Sequence, residues 1–272
     1  MIVVTGATGN VGRPLVDALA AAGEQVVAVA RRSADLPVRQ HLADLGEPAS
    51  LKPALDGADA VFLLIAGEQL VRAHPGELLE VVKGSGVRRV VLLSSVAAGT
   101  RPTAVSHDGL RAYERAVRDS GLEWTILRPG GFQSNALAWA DMVRTSRTVA
   151  APFGDVAVPI IDPRDIGEVA AAVLRGGGHH GRTYELTGPE PISPRQQAEA
   201  IGADVRFVEL TRAQAKKAML AFMPEPVADG TLDILGEPTE AERRVSPAVA
   251  DLLGRRPGTF AAWVGRNATA FG

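Results

Sequence analysis

The chain has 272 residues, and its 29 Lys plus Arg against 31 Asp plus Glu leave a net charge of -2, so no global positive field is available to hold a nucleic acid or an anionic membrane surface. It contains no cysteine, which excludes disulfides, thiolate nucleophiles and cysteine-held metal centres, so redox chemistry has to come from a borrowed cofactor. An apolar share of 46% suits parallel strands covered on both faces, while runs such as Val61 to Ile65 are far too short to span a bilayer.

Taken in order, Ile2 to Thr5 reads as a first strand, Pro14 to Ala22 as a helix stopped by Gly23, and Gln25 to Ala30 as a second strand. A short third strand is expected at Val38 to Leu42, helical material at Leu51 to Leu55 and a fourth strand at Ala60 to Ile65. Pro75 to Lys83 then reads as a helix, Arg89 to Leu93 as strand five, His107 to Ser120 as an amphipathic helix and Trp124 to Leu127 as strand six. This alternation predicts an α/β fold with a doubly wound parallel sheet of Rossmann type. Beyond Arg128-Pro129-Gly130 the pattern loosens: helices are expected at Asn135 to Thr145, Asp165 to Leu174, Arg195 to Ala200 and Arg212 to Ala221. Val156 to Ile161 looks extended, Gly176 to His180 is a surface turn and Thr183 to Leu186 is one more strand. Prolines 224, 226, 238, 247 and 257 break the tail into short pieces. Residues 1–150 are therefore assigned to the dinucleotide-binding core, and 151–272 to a mixed segment that completes the core and forms a small lobe on the substrate side.

Between the first strand and first helix the chain reads Thr5-Gly6-Ala7-Thr8-Gly9-Asn10-Val11-Gly12. Gly6 suits the tight turn, Gly9 the close approach of backbone to a pyrophosphate and Gly12 the close packing of helix on strand. The helix start offers unpaired N–H groups to the phosphates. Thr8, Asn10 and Val11 complete the loop, and Ile65, Ser94 and Pro129, at the exits of strands four, five and six, join it as candidate cofactor residues because ligands of open α/β sheets lie at those exits. After strand two, where an NAD site places a carboxylate for the ribose hydroxyls, this chain has Arg31 and Arg32. Guanidinium groups suit a 2′-phosphate, so NADPH is favoured over NADH. Asp44 is a candidate acceptor for the adenine amino group or, equally, a helix cap. The histidines His41, His74, His179 and His180 lack ligand spacing, so no metal site is expected. No basic segment leading into an apolar stretch precedes the first strand, and a cytoplasmic location is expected.

The loop from Thr5 to Gly12, together with Leu93-Ser94-Ser95, Ser120-Gly-Leu-Glu-Trp-Thr-Ile-Leu-Arg-Pro129, Phe132-Gln-Ser-Asn135, Ile161-Asp-Pro-Arg-Asp-Ile-Gly167 and Tyr184-Glu-Leu-Thr-Gly188, resembles the NmrA-like branch of the atypical short-chain dehydrogenase/reductases along nearly the whole chain. The resemblance implies an NAD(P)-binding Rossmann protein with a small C-terminal lobe, either a reductase of quinones or enones or a redox-sensing regulator. It also implies that backbone near Pro129 lies beside nicotinamide, with Phe132 and Asn135 facing the cleft. The Tyr-x-x-x-Lys pair of classical members is missing: Tyr113 and Tyr184 are followed four residues later by Val117 and Gly188. Counting back from Glu114 and Ser120-Gly121 puts Ser106 and Leu110 at the pair's positions, whereas counting forward from Ser95 puts His107 and Arg111 there. In the second register His107 is the candidate proton donor, with a cation one helical turn away. The expected function is an NADPH-dependent reduction of a small planar quinone, enone or other carbonyl acceptor, with His107, Phe132 and Asn135 positioning it. A non-catalytic NADP(H) sensor acting through a protein partner is the alternative, and homo-oligomerisation is left open.

Overall fold

The computed structural model of the chain describes residues 1–67, 69–72 and 74–272. Seven parallel strands form its main sheet: β1 (Ile2–Thr5), β2 (Val26–Ala30), β3 (Arg39–Leu42), β4 (Ala60–Leu64), β5 (Arg89–Leu93), β6 (Glu123–Pro129) and β8 (Arg182–Leu186), with β7 (Thr148–Ala151) set apart. Their order is β3-β2-β1-β4-β5-β6-β8, so the chain reverses direction across the sheet between β1 and β4. That reversal opens a crevice above the strand ends.

The strands are branched and apolar because both faces are covered. Ile2, Val4, Ala28, Phe62, Val91 and Leu127 face one helical layer, made by α1 (Gly12–Ala21), the helix Pro163–Arg175 and the helix Ala248–Leu253. Their neighbours Val3, Val27, Val29, Val61, Leu63, Val90, Leu92 and Ile126 face the other layer, which includes the helices Pro75–Gly84 and Asp108–Asp119. This is the strict two-residue alternation of a doubly covered strand. In the first layer α1 lies directly against Pro163–Arg175, and Gly167 is what allows it: a Cβ there would sit 2.8 Å from Leu15 N and 2.9 Å from Pro14 Cβ. Asp162 starts that helix by accepting from Arg164 N at 3.0 Å, with Pro163 in its first turn.

The small lobe is built from separated stretches. β7 pairs in parallel with β9 (Arg206–Glu209), and Val143, Val149, Ile160, Ala198, Val205, Phe260, Trp263 and Phe271 form its core. Three expectations for the second half change. Val156 to Ile161 is not a regular strand but carries two isolated bridges, Phe132 to Ile161 and Val158 to Ile192, because Pro159 removes a ladder donor. The helix expected from Asn135 begins as a 3₁₀ segment, Gln133–Trp139, before the α-helix Ala140–Ser146. Pro226 does not break the tail; it occupies the first turn of a twelve-residue helix, Glu225–Gly236, where its missing N–H costs nothing. Among the described residues no helix is long and apolar enough to cross a membrane.

Candidate functional site

The crevice at the β1/β4 switch is a cleft of about 480 Å³ that runs from the exit of β2, over the glycine loop, to the exits of β5 and β6. Thr5 joins the two strands at the switch: its Oγ1 donates to the Phe62 carbonyl at 3.0 Å and accepts from Leu64 N at 2.9 Å. Gly6 turns the chain out of β1 with φ of +64°, in the region that favours glycine. Gly9 N then donates to Gly6 O at 3.0 Å. A Cβ at Gly9 would meet nothing but that oxygen, at 3.3 Å, so the missing side chain leaves open space. Gly12 is different: a Cβ there would lie 2.7 Å from the Gly6 carbonyl carbon and 2.8 Å from Ala7 Cα, so glycine is what lets α1 start against the loop. Gly12→Ala is expected to lower stability by ~1–3 kcal/mol through overpacking, read as an earlier urea midpoint at unchanged slope. A midpoint matching the parent would show that the loop yields.

Gly6, Thr8, Gly9, Asn10 and Val11 line the cleft, while Gly12 is buried behind them. α1 begins without a side-chain cap; Arg13 N donates to Gly9 O at 3.0 Å and Pro14 has no N–H, so Gly12 N is the first-turn amide left to an incoming anion. The Asn10 amide donates to Ser134 Oγ at 3.1 Å, which ties the loop to the segment after β6. At the β2 end, Arg31 lines the cleft but Arg32 does not. Arg13, which sequence reasoning missed, reaches the same loop, donating to the Asp35 carbonyl at 2.9 Å. Asp44 stands behind the wall between the lining residues Ala43 and Leu45; its Oδ1 accepts from Gly46 N at 2.8 Å and from the lining Gln69 amide at 3.0 Å. The glycine gap, the uncapped helix start and the arginine at the far end fit a dinucleotide.

At the opposite end the walls are Ile65, Leu93, Ser94, Leu110 and Phe132. Phe132 is held by its bridge to Ile161 and by Gln133 N donating to Ile161 O at 2.8 Å. Pro129 is buried at the end of β6 and Asn135 is exposed; neither lines the cleft. Of the serine pair, Ser95 caps the short helix Val96–Thr100 by accepting from Ala97 N at 3.2 Å, whereas Ser94 lines the cleft. Leu110 is the residue of helix Asp108–Asp119 that faces inward, because Arg111 is turned to the Arg101 and Ala104 carbonyls at 2.8 and 2.7 Å and pairs with Asp108. His107, just before that helix, is half-buried and outside the lining; its Nδ1 lies 3.0 Å from Ser106 Oγ. Burial, and then the Arg111 charge, hold its pKa below the ordinary value.

Glu114 is a group the sequence did not reveal. It is 2% exposed, and its Oε1 accepts from Ser94 Oγ at 2.6 Å and Arg128 Nε at 2.8 Å. Its Oε2 accepts from Arg128 Nη2 at 2.6 Å and Arg118 Nη2 at 2.9 Å. A Glu on an amphipathic helix reads as a solvated position, and only the sheet that places Arg128 opposite it shows otherwise.

A second buried carboxylate fastens the tail to the β5 exit. Glu242 accepts from Thr100 Oγ1 at 2.6 Å, from Arg101 Nε and Nη2 at 2.8 Å each, and from Thr239 N at 2.8 Å. Burial alone would raise its pKa, but Arg101, Thr100 and the Thr239 amide outweigh it and bring the pKa from 4.5 to about 2. A depressed carboxylate stabilises the fold above the unfolded pKa and loses that contribution as pH falls towards the folded one, here between 4.5 and about 2. The contribution is of order ~3 kcal/mol. The stability gap between the parent and Glu242→Gln, measured by urea unfolding, is expected to be constant above pH 5 and to shrink below it; a gap unchanged to pH 3 would exclude the linkage.

The profile of an NAD(P)H-binding family matches residues 6–175. Over this whole chain and 99% of its own length, a (4-alkanoyl-5-oxo-2,5-dihydrofuran-3-yl)methyl phosphate reductase of Streptomyces griseus is 40% identical. An NAD(P)H azoreductase of Xenophilus azovorans is 33% identical over the whole chain and 99% of its own length. Among solved structures, an NADPH-dependent quinone oxidoreductase of Escherichia coli complexed with NADPH superposes with a TM-score of 0.82 at 25% identity, covering 98% of this chain and 99% of that one.

Proposed function

The chain belongs to the NmrA-like, quinone-oxidoreductase-like group of NAD(P)H-binding proteins and is an NAD(P)H-dependent oxidoreductase; from that membership we propose that it uses NADPH to reduce a small planar conjugated acceptor, a quinone or an enone. The glycine loop would hold the pyrophosphate, Arg31 the 2′-phosphate, and Ile65, Ser94, Leu110 and Phe132 would surround nicotinamide and acceptor. The bound cofactor would supply a hydride; the protein supplies orientation and a slot walled mainly by the apolar Ile65, Leu93, Leu110 and Phe132.

The observation that carries the acceptor class is the make-up of that slot. Among the described residues its lining includes no Tyr, Lys, His, Asp or Glu, so no wall residue is a strong acid. A quinone or a doubly activated alkene receives hydride as a delocalised anion that needs little help from an acid, whereas an isolated aldehyde needs a proton as hydride arrives. The S. griseus relative is named for a 5-oxo-2,5-dihydrofuran bearing a 4-alkanoyl group, a conjugated acceptor of this kind. NADPH oxidation followed against quinones, enones and simple aldehydes is expected to be fast with the first two and slow with the third. Preference for aldehydes, or no oxidation by any acceptor, would reject the reading.

His107, outside the lining and three residues before the lining Leu110, is proposed as the proton donor. His107→Gln is expected to lower turnover of simple aldehydes, which need a proton as hydride arrives, several-fold while sparing quinones, enones and NADPH affinity. Equal turnover of all acceptors would remove it from the chemistry.

A further inference from the structure

Ser94 has one proton and Glu114 takes it. The serine hydroxyl points at Glu114 Oε1 from 2.6 Å, and an ionised carboxylate only accepts, so the hydrogen lies on that line. Glu114 is kept ionised by its surroundings: two guanidinium groups, of Arg128 and Arg118, supply three further hydrogen bonds to the same carboxylate. Burial by itself would raise its pKa, but Arg128, Ser94 and Arg118 together hold it below the usual carboxylate value. Among the described residues no protein donor reaches Ser94 Oγ, and the residue lines the cleft at the β5 exit. The remaining lone pairs of the hydroxyl are therefore left without a donor among the described residues.

We infer that Ser94 presents the cleft with a hydrogen-bond acceptor of fixed direction, that the ligand group it takes is the N–H of the nicotinamide carboxamide, and that Glu114 is the positioning residue that sets this polarity. The inference rests on the cleft being the cofactor site. The glycine loop and Arg31 place the adenosine half over β1 and β2, so the other half extends across β4 and β5, past Ile65 and Leu93, to Ser94. A carboxamide is the cofactor group at that end with N–H donors to offer. It follows that Ser94 does not give a proton to the acceptor, since its only proton is held by a buried carboxylate. The pair instead fixes the rotation of the nicotinamide ring, and with it the face that is turned to Leu110 and Phe132.

The test compares NADP with its 3-acetylpyridine analogue, in which a methyl ketone replaces the carboxamide and no N–H remains, by titration calorimetry without turnover. Ser94→Ala leaves the Glu114–Arg128 pair in place. It is expected to weaken NADP about fivefold to tenfold, the scale of one lost hydrogen bond, and the analogue less than about twofold. Glu114→Gln frees the hydroxyl to turn, because an amide offers either an acceptor or a donor. The preference for NADP over the analogue is expected to fall by about threefold or more, and not to change when the same substitution is made on Ser94→Ala. A ratio of affinities is insensitive to general damage to the fold, and the Ser94→Ala arm decides on its own should Glu114→Gln not fold. Equal weakening of both cofactors by Ser94→Ala, or of neither, overturns the acceptor assignment. A preference that falls alike in both backgrounds, or in neither, overturns the positioning role of Glu114. Failure of the parent protein to bind NADP at all overturns the proposed cofactor site, and is distinguishable from both.

Discussion

Gly9→Val is expected to abolish measurable dinucleotide binding, a loss of more than about a hundredfold in affinity, or ~2.7 kcal/mol or more, while the protein unfolds in urea close to its parent. The two halves of that result come from one geometry. Gly9 does not occupy a positive-φ region, and a Cβ at its position meets only Gly6 O, at 3.3 Å. The fold can accept a side chain there with a small shift. The two methyl groups of valine would then project into the cleft lined by Gly6, Thr8, Asn10 and Val11, in the space that a pyrophosphate needs to reach the loop and the Gly12 N–H at the start of α1. Gly12→Ala makes the opposite pair of changes, since its Cβ strikes backbone behind the loop. Measured side by side, the first variant loses binding and keeps stability, and the second loses stability first. Unchanged NADPH affinity in folded Gly9→Val would remove the loop from the cofactor site.

The sheet was legible because its signals are local. Runs such as Ile2-Val3-Val4 and Arg89-Val-Val-Leu-Leu93 are β-branched or leucine-rich, bounded by turns and spaced by helical stripes, and the structure places strands within a residue or two of them. The glycine loop was legible for the same reason. The β7–β9 pair was not: Thr148–Ala151 is a four-residue stretch whose partner Arg206–Glu209 is charged at both ends, and neither reads as a strand until the other is beside it. The helix Glu225–Gly236 is hidden because proline reads as a breaker, while Pro226 sits where the first turn needs no N–H. The cleft wall was half legible. Phe132 and Ser94 were expected there, but Leu110, Gln69 and Leu70 reach it from helices whose rotation only packing fixes. The register of the missing tyrosine–lysine pair could not be settled by counting, because both counts run through a helix whose rotation only packing fixes: Leu110 lines the cleft, while Arg111 donates to the Arg101 and Ala104 carbonyls.

Replacing Arg31 is expected to change which cofactor the protein prefers. Arg31 lines the cleft at the β2 exit, in the place where an NAD site carries a carboxylate for the ribose. An exposed arginine–phosphate contact contributes ~1–3 kcal/mol, the scale of charge-assisted hydrogen bonds, so Arg31→Ala should weaken NADPH by roughly tenfold to a hundredfold. NADH has no 2′-phosphate and should lose less than about threefold. Arg32 lies outside the lining, so Arg32→Ala alone should cost NADPH much less, and the double variant should exceed Arg31→Ala by a small factor. Arg13 donates to the Asp35 carbonyl of the same loop but, like Arg32, lies outside the lining. Both dissociation constants, measured for each variant at two salt concentrations, separate this account from general damage, because exposed charges are screened and a damaged loop is not. Equal binding of NADPH and NADH by the parent, or equal losses of both in Arg31→Ala, would leave Arg31 as a solvated strand exit and return the cofactor choice to some other part of the cleft.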